Sequence, residues 1–349
     1  MDLRGGCITE KDLRVKYAAY INKKNVFLLF LLIMLCITSI ASLNIGSSNM
    51  TVGQSIMTLL GKGSKQFNHI VFNIRLPRVI GGLFVGMSMA LSGMIIQSTL
   101  NNPLASPSTL GISNASAFGA NIALIVFSTM GITSTPIVTS AVSFLAAMLC
   151  MILVIGISNI KGAGKTFVIL AGVALNSLFA AAITVIQYLA DETQLATAVS
   201  WTFGDLGRIT YPQIKIVSAT TLLSALVVYM MRWSYNAMDM GERTAHSIGV
   251  NTKNMRNISI FLAALNTGVS VAFVGMIGFV GLLAPQITKR VIGEDKRYML
   301  PGTLLMGALV VILSDSMARS LWAPIVLPVG AITSFLGALL FLYILFKKR

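Results

Sequence analysis

The sequence predicts an all-α, polytopic membrane protein, and three observations predict it. Of 349 residues, 55% are hydrophobic and 11% are charged, whereas a soluble domain carries about 25% charge. Mean hydropathy is +0.82. The apolar residues fall in continuous runs of about 20, the length a helix needs to cross the hydrocarbon core. Strands of a membrane barrel would alternate in polarity over segments of about 10 residues; these runs do not alternate. The net charge of +15 would suggest nucleic acid in a soluble chain. Here Lys and Arg sit between the apolar runs, as the positive-inside rule distributes them. The expected surroundings are a lipid bilayer, with no nucleic acid.

Residues 1–25 carry Arg4, Lys11, Arg14, Lys16, Lys23 and Lys24 and read as a cytoplasmic segment. Residues 26–349 read as one membrane domain. Its first run, 26–43, is longer than the 7–15-residue apolar core of a signal sequence, so it is expected to stay as span 1. Span 2 is expected at 77–98. A hinge at 101–108, rich in Asn and Pro, separates it from span 3 at 109–129. Spans 4, 5 and 6 follow at 136–157, 166–190 and 212–231. A short basic loop, 158–165, joins spans 4 and 5, and a polar loop, 191–211, joins spans 5 and 6. Residues 232–257 form the longest internal hydrophilic segment.

Residues 258–288 hold no charge over 31 positions. That is too long for one span and too short for two full ones. Charge decides between the two readings. One span puts the 26 Lys and Arg evenly on both sides, 13 and 13; two short spans put 19 inside and 7 outside. The second reading follows the positive-inside bias. It gives ten spans with both termini cytoplasmic, spans 9 and 10 lying at 301–317 and 328–346. An internal repeat agrees: GMSMALSGMI at 86–95 matches GVSVAFVGMI at 268–277 at an offset of 182, and Pro103 matches Pro285. The copies begin five spans apart, in spans 2 and 7. They predict an inverted repeat of spans 2–5 and 7–10, a feature of transporters.

Gly82, Gly86, Ala90 and Gly93 stand at small-xxx-small spacing, which allows close helix packing. Packing alone explains the stripe. Lining a pathway is the sharper reading, because Ser88, Ser92 and Gln97 add polar atoms to the same helix and Asn102 and Pro103 break it. Non-helical backbone at that depth must be buried in protein or face water; a plain cytoplasmic turn is the alternative. KGAGKT at 161–166 is not a phosphate-binding loop, because Asn159 stands where the first Gly is needed. Asp315 and Arg319 are spaced for a local i,i+4 ion pair. Arg75, Arg78 and Arg319 lie on the outer side against the charge bias. An acidic partner protein explains them; lipid phosphate explains them equally simply. The three cysteines form no CxxC and the two histidines lie far apart, so no metal site is expected. No Asp, Glu or Lys lies deep in a span, which disfavours an ion-coupled secondary carrier. No catalytic constellation is present, which disfavours a membrane-embedded enzyme.

RLPR (75–78), the small-residue run to Gln97, NPLASPSTLGIS (102–113), GERTAHSIGV (241–250), GFVGLLAPQ (278–286), Gly293 to Asp295 and LPVGAITSFLGA (327–338) together resemble the FecCD family. These are permease subunits of ABC importers for iron–siderophore, haem and vitamin B12. The resemblance implies a permease dimer, with a second copy or a paralogue, around a central pathway. It implies two cytoplasmic ATPases that bind the ATP and Mg, leaving this chain without a cofactor or catalytic residue. It further implies an extracytoplasmic binding protein docking at Arg75, Arg78 and Arg319. ATPase coupling is implied at Gly241, Glu242, Arg243, Ala245, Gly249 and Val250, and a cytoplasmic gate at Ser158, Asn159, Lys161 and Lys165. The chain departs from the family at Gln286, where many members have His, and at Val326, where many have Glu. The expectation is a bacterial plasma-membrane permease for an iron–siderophore chelate, with haem or cobalamin as alternatives.

Overall fold

A computed structural model of the chain describes residues 10–46, 51–160 and 164–346. Helix α1 runs Glu10–Asn44, and two short helices follow, α2 (Val52–Leu59) and α3 (Lys65–His69). A π-helical turn, Ile70–Arg75, leads without a break into α4 (Leu76–Leu100). Pro77 starts α4 where its missing N–H costs nothing. Asn101 ends it in the left-handed conformation, φ 47°, which Asn tolerates at a helix C-terminus. After the turn at 101–111 come α5 (Ile112–Asn121), extended by a π-helical turn Ile122–Phe127, then α6 (Pro136–Ser158) and α7 (Lys165–Tyr188). Helix α8 (Glu192–Thr202) and a 3-10 turn, Leu206–Arg208, precede α9 (Tyr211–Met230). Two short helices, α10 (Arg232–Asp239) and α11 (Glu242–Ser247), precede α12 (Thr252–Val274), α13 (Val280–Ile292), α14 (Lys296–Ser320) and α15 (Val329–Phe346).

Seven of these helical stretches are long and apolar enough to cross a membrane: Lys16–Asn44, Lys65–Leu100, Pro136–Ser158, Lys165–Tyr188, Tyr211–Met230, Thr252–Val274 and Lys296–Ser320. Two shorter apolar helices are Ile112–Phe127 and Val329–Tyr343. The chain is therefore a helical, multi-pass membrane protein. Helix α4 is its axis. Val85, Ala90, Leu91, Met94, Ile95 and Ile96 on α4 are all fully shielded, while α6, α7 and α9 present Leu149, Leu170 and Leu223 outward, as lipid-facing helices do.

Three expectations change. Residues 258–288, expected as two short spans, hold the second part of one long helix and most of a short one. Helix α12 is a full-length helix, and the chain then breaks at 275–279 before the 13-residue α13. At 1.5 Å per residue α13 is about 20 Å long, short of the roughly 30 Å hydrocarbon core. The break is built by Gly275 (φ 80°) and Phe279 (φ 63°). A Cβ on Gly275 would sit 2.4 Å from the Trp201 carbonyl oxygen, so both the φ and the close approach require glycine. Second, α1 crosses the expected boundary at residue 25 as one continuous helix. Third, the loop 191–211 contains α8, started by a reciprocal capping box in which Asp191 accepts from the Gln194 N–H.

Candidate functional site

The chain brings its candidate residues to two opposite ends and one tightly packed interior. At the first end, the start of α4 meets the end of α14. Arg78 Nε donates to Asp315 Oδ1 at 2.8 Å, and Arg319 Nε donates to Asp315 Oδ2 at 3.0 Å. One carboxylate thus accepts from two guanidiniums, the strong charge-assisted arrangement. The i,i+4 pair of Asp315 and Arg319 forms as the spacing predicts, and α4 joins it. Arg78 also lies 3.3 Å from Asp205. Arg319 donates to Ser42 O at 3.1 Å and to the Ile45 carbonyl, and Arg75 donates to Leu43 O at 2.6 Å. The three arginines therefore converge at one end of the molecule. Arg75 and Arg319 are buried and engaged within the chain, so they wall a cavity of about 240 Å³ instead of projecting. Ile74 and Val326 stand at its exposed rim.

In the interior, Gly86, Ser88 and Ser92 make helix contacts. A Cβ on Gly86 would lie 2.4 Å from Gly307 O, so α4 and α14 touch backbone to backbone. Ser88 Oγ donates to Asn266 O at 3.0 Å and accepts from Ser270 Oγ at 2.9 Å; Ser92 Oγ donates to Ser88 O at 2.9 Å. Both serines are fully buried. Of the two readings of the stripe, the geometry at these three residues fits packing: each is enclosed by the neighbouring helices. Asn102 caps its own turn, its Oδ1 accepting from Leu104 N at 2.9 Å. Pro103 is exposed beside it.

The opposite end holds the short helices α10 and α11. Gly241 (φ 109°) and Gly249 (φ 88°) bound α11. Ala245 is its buried contact, packed with Ala237, Met238 and the half-buried Val250. Arg243 faces solvent, Glu242 lies 3.9 Å from Arg256, and Met240 and Ile248 are exposed. Both are apolar side chains left bare on an otherwise polar hairpin. The 158–165 loop arrives at the same end. Ser158 is buried, and Asn159 Oδ1 accepts from Asn257 Nδ2 at 3.3 Å. Lys165, at the head of α7, shares the field of Glu242, Arg256 and Asp239. Lys161 lies outside the described residues.

The sequence pattern of the FecCD transport family matches residues 31–347. The chain belongs to the FecCD transport family. A candidate ABC transporter permease of Methanocaldococcus jannaschii is 44% identical over 343 residues, 96% of this chain and 98% of that protein. The hemin transport system permease of Yersinia pestis is 33% identical, covering 92% and 95% of the two chains. Among solved structures, an inward-facing candidate metal-chelate type ABC transporter superposes with TM-score 0.80 at 29% identity, covering 93% of this chain and 99% of that one.

Both departures of this FecCD chain now have a place. Val326 stands at the rim of the arginine cavity. Gln286, on α13, donates from Nε2 to Gln97 Oε1 at 2.7 Å and to Pro103 O at 3.3 Å. Gln97 in turn donates to Gly281 O and Leu282 O, both at 3.3 Å. The two glutamines clamp the end of α4, the hinge and α13 together. Gln286→Leu leaves Gln97 Oε1 without its donor and is expected to lower the unfolding free energy by about 1–3 kcal/mol. Gln286→His, which can still donate, should lose less; thermal unfolding of the detergent-solubilised protein compares them. Sequence reasoning missed Asp205, Asn266, Asp239 and Lys296. Their partners lie far along the chain, and no local spacing points to them.

Proposed function

We propose that this FecCD chain is the permease subunit of a binding-protein-dependent importer for an iron chelate of the siderophore class. Two ATPase subunits supply energy from ATP and Mg, and a second permease copy or paralogue completes the pathway. The observation that carries the reading is the segregation of two unlike surfaces. An arginine-walled cavity suited to an acidic side chain lies at one end, and a small hairpin with bare Met240 and Ile248 lies at the other. One end fits a substrate-delivering protein and the other an ATPase, and the charge bias makes the hairpin end cytoplasmic.

The same reading takes ten membrane elements: the seven long helices plus α5, α13 and α15, with both termini cytoplasmic. An inverted repeat is supported by one contact in particular. Ser88 and Ser270 stand at the repeat offset of 182 and hydrogen-bond to each other. Equivalent residues meet in this way at an axis relating two halves. Haem and cobalamin are the alternative cargoes. The hemin permease of Yersinia pestis and the metal-chelate type neighbour favour a bulky iron complex.

The test is reconstitution of the chain with the ATPase and binding protein encoded beside it. MgATP-dependent uptake of a ferric siderophore into proteoliposomes is expected, in preference to hemin, cobalamin and molybdate. Uptake driven by an ion gradient without any ATPase would overturn the importer reading. A second prediction isolates docking. Ile74→Glu places a carboxylate at the cavity rim without touching an arginine. It should weaken binding-protein affinity about tenfold or more, as like charges do across an interface, while ATPase assembly survives; surface-plasmon titration reads the difference.

A further inference from the structure

Helix α10 is fastened to the foot of α14 by a joint that no motif announces. Lys296 is the first residue of α14 and its side chain is 1% exposed. Its ammonium pairs with the carboxylate of Asp239, the last residue of α10. The backbone N–H of Lys296 donates to Asn236 Oδ1 at 3.0 Å. One residue on, the Arg297 guanidinium lies over the Trp233 ring of α10, 5.6 Å from its centroid. Arg297 is held there by Asp295, its Nε donating to Oδ1 at 3.1 Å and its Nη2 to Oδ2 at 2.7 Å. Three contacts of different chemistry thus link one turn of α14 to one face of α10.

The far end of α14 is fastened too. Asp315 and Arg319 bind Arg78 of α4 and the end of α1. Between the ends lie 25 helical residues, a strut of about 37 Å. Small residues at its middle bring it against α4. A buried ion pair is an expensive way to hold two helices, since apolar groups of the same volume often hold as well or better. What a pair adds is register: an apolar contact can slide, whereas an ammonium on a carboxylate has one position.

We propose that Asp239 and Lys296 are positioning residues for energy coupling. Movement of the α10–α11 hairpin is passed through this pair to α14, and along α14 to the arginine cluster at the other end. The inference rests on the importer reading, in which the hairpin is the ATPase-facing surface. Coupling through packed elements requires a demonstrated response at the distant site, so the experiment measures one.

The permease is assembled with its ATPase subunits in nanodiscs, with Cys7 and Cys36 replaced by Ser. Spin labels are placed at Ser320→Cys, at the far end of α14, and Thr184→Cys on α7, both exposed positions. The distance between them is read before and after trapping with MgATP and vanadate. The parent complex is expected to show a nucleotide-dependent shift. Lys296→Met and Asp239→Asn should each lose most of it per trapped nucleotide. The exchange Asp239→Lys with Lys296→Asp should restore it, which a general loss of stability would not allow. If Lys296→Met does not assemble, Asp239→Asn, which keeps an acceptor in place, carries the comparison. A full shift in either single variant, no shift in the parent, or no recovery in the exchange overturns the proposal. A parent chain that neither binds an ATPase nor supports hydrolysis removes the importer reading as well.

Discussion

Gly93→Val is expected to abolish accumulation of the folded protein. A Cβ built on Gly93 lies 1.6 Å from Gly281 O, 2.4 Å from its carbonyl carbon and 2.7 Å from its Cα. All three atoms are backbone, so no side-chain rotation relieves the clash. Helix α4 would have to leave α13, and α13 is held at its start by the left-handed Phe279 and at its side by the Gln97–Gln286 clamp. Ordinary overpacking costs about 1–3 kcal/mol because side chains give way; here the backbone itself must move, and the cost exceeds that range. The control is Gly156→Ala. Gly156 is exposed inside α6 with nothing within 4 Å of a new Cβ. That change should be neutral or stabilise by up to about 1 kcal/mol through helix propensity. The monodisperse yield after detergent extraction, with thermal unfolding of whatever is recovered, separates the two. A Gly93→Val protein recovered at parental yield and melting temperature would refute the α4–α13 contact.

Asp315→Ala should be the most damaging change at the arginine end. Its side chain is 3% exposed and is the shared acceptor of Arg78 and Arg319. Removing it leaves two guanidiniums facing each other and Arg75 beside them. Breaking a buried pair by deleting one partner costs about 3–5 kcal/mol. The expectation is a large fall in melting temperature, read by thermal unfolding in detergent. Asp315→Glu keeps the charge and should lose part of this. Arg78→Glu carries the same penalty in reverse, placing a second carboxylate against Asp315. Loss of transport in that variant would therefore report on folding as much as on docking, whereas Ile74→Glu reports on docking. A parental melting temperature for Asp315→Ala would show that the cluster contributes nothing to the fold.

Much of the organisation was legible in the chain. Runs of about 20 apolar residues located α1, α4, α6, α7, α9 and α14 to within a few residues, with α1 reaching further back than its apolar core. The i,i+4 pair at Asp315 and Arg319 was readable because its geometry is local. Residues 258–288 defeated simple counting, because a charge-free stretch gives no sign of where a helix stops. That stop is set by Gly275 against the Trp201 carbonyl, a contact between residues 74 positions apart. Gly86, Ser88 and Ser92 were equally ambiguous. Small residues at helical spacing look the same whether they face a path or a neighbouring helix, and the facing glycine, Gly307, is 221 residues further on.

The sequence by itself determined the solvent, the family and the two-ended character of the molecule. Hydropathy and charge bias act through partition between lipid and water, which each segment undergoes largely on its own account. The tertiary structure decided which small residues touch, that the arginines close around Asp315 and line a cavity, and that Lys296 meets Asp239. Those choices depend on how distant helices cross and stack. A guanidinium or an ammonium withdrawn from water takes whichever carboxylate the packing delivers, and no local spacing names that partner.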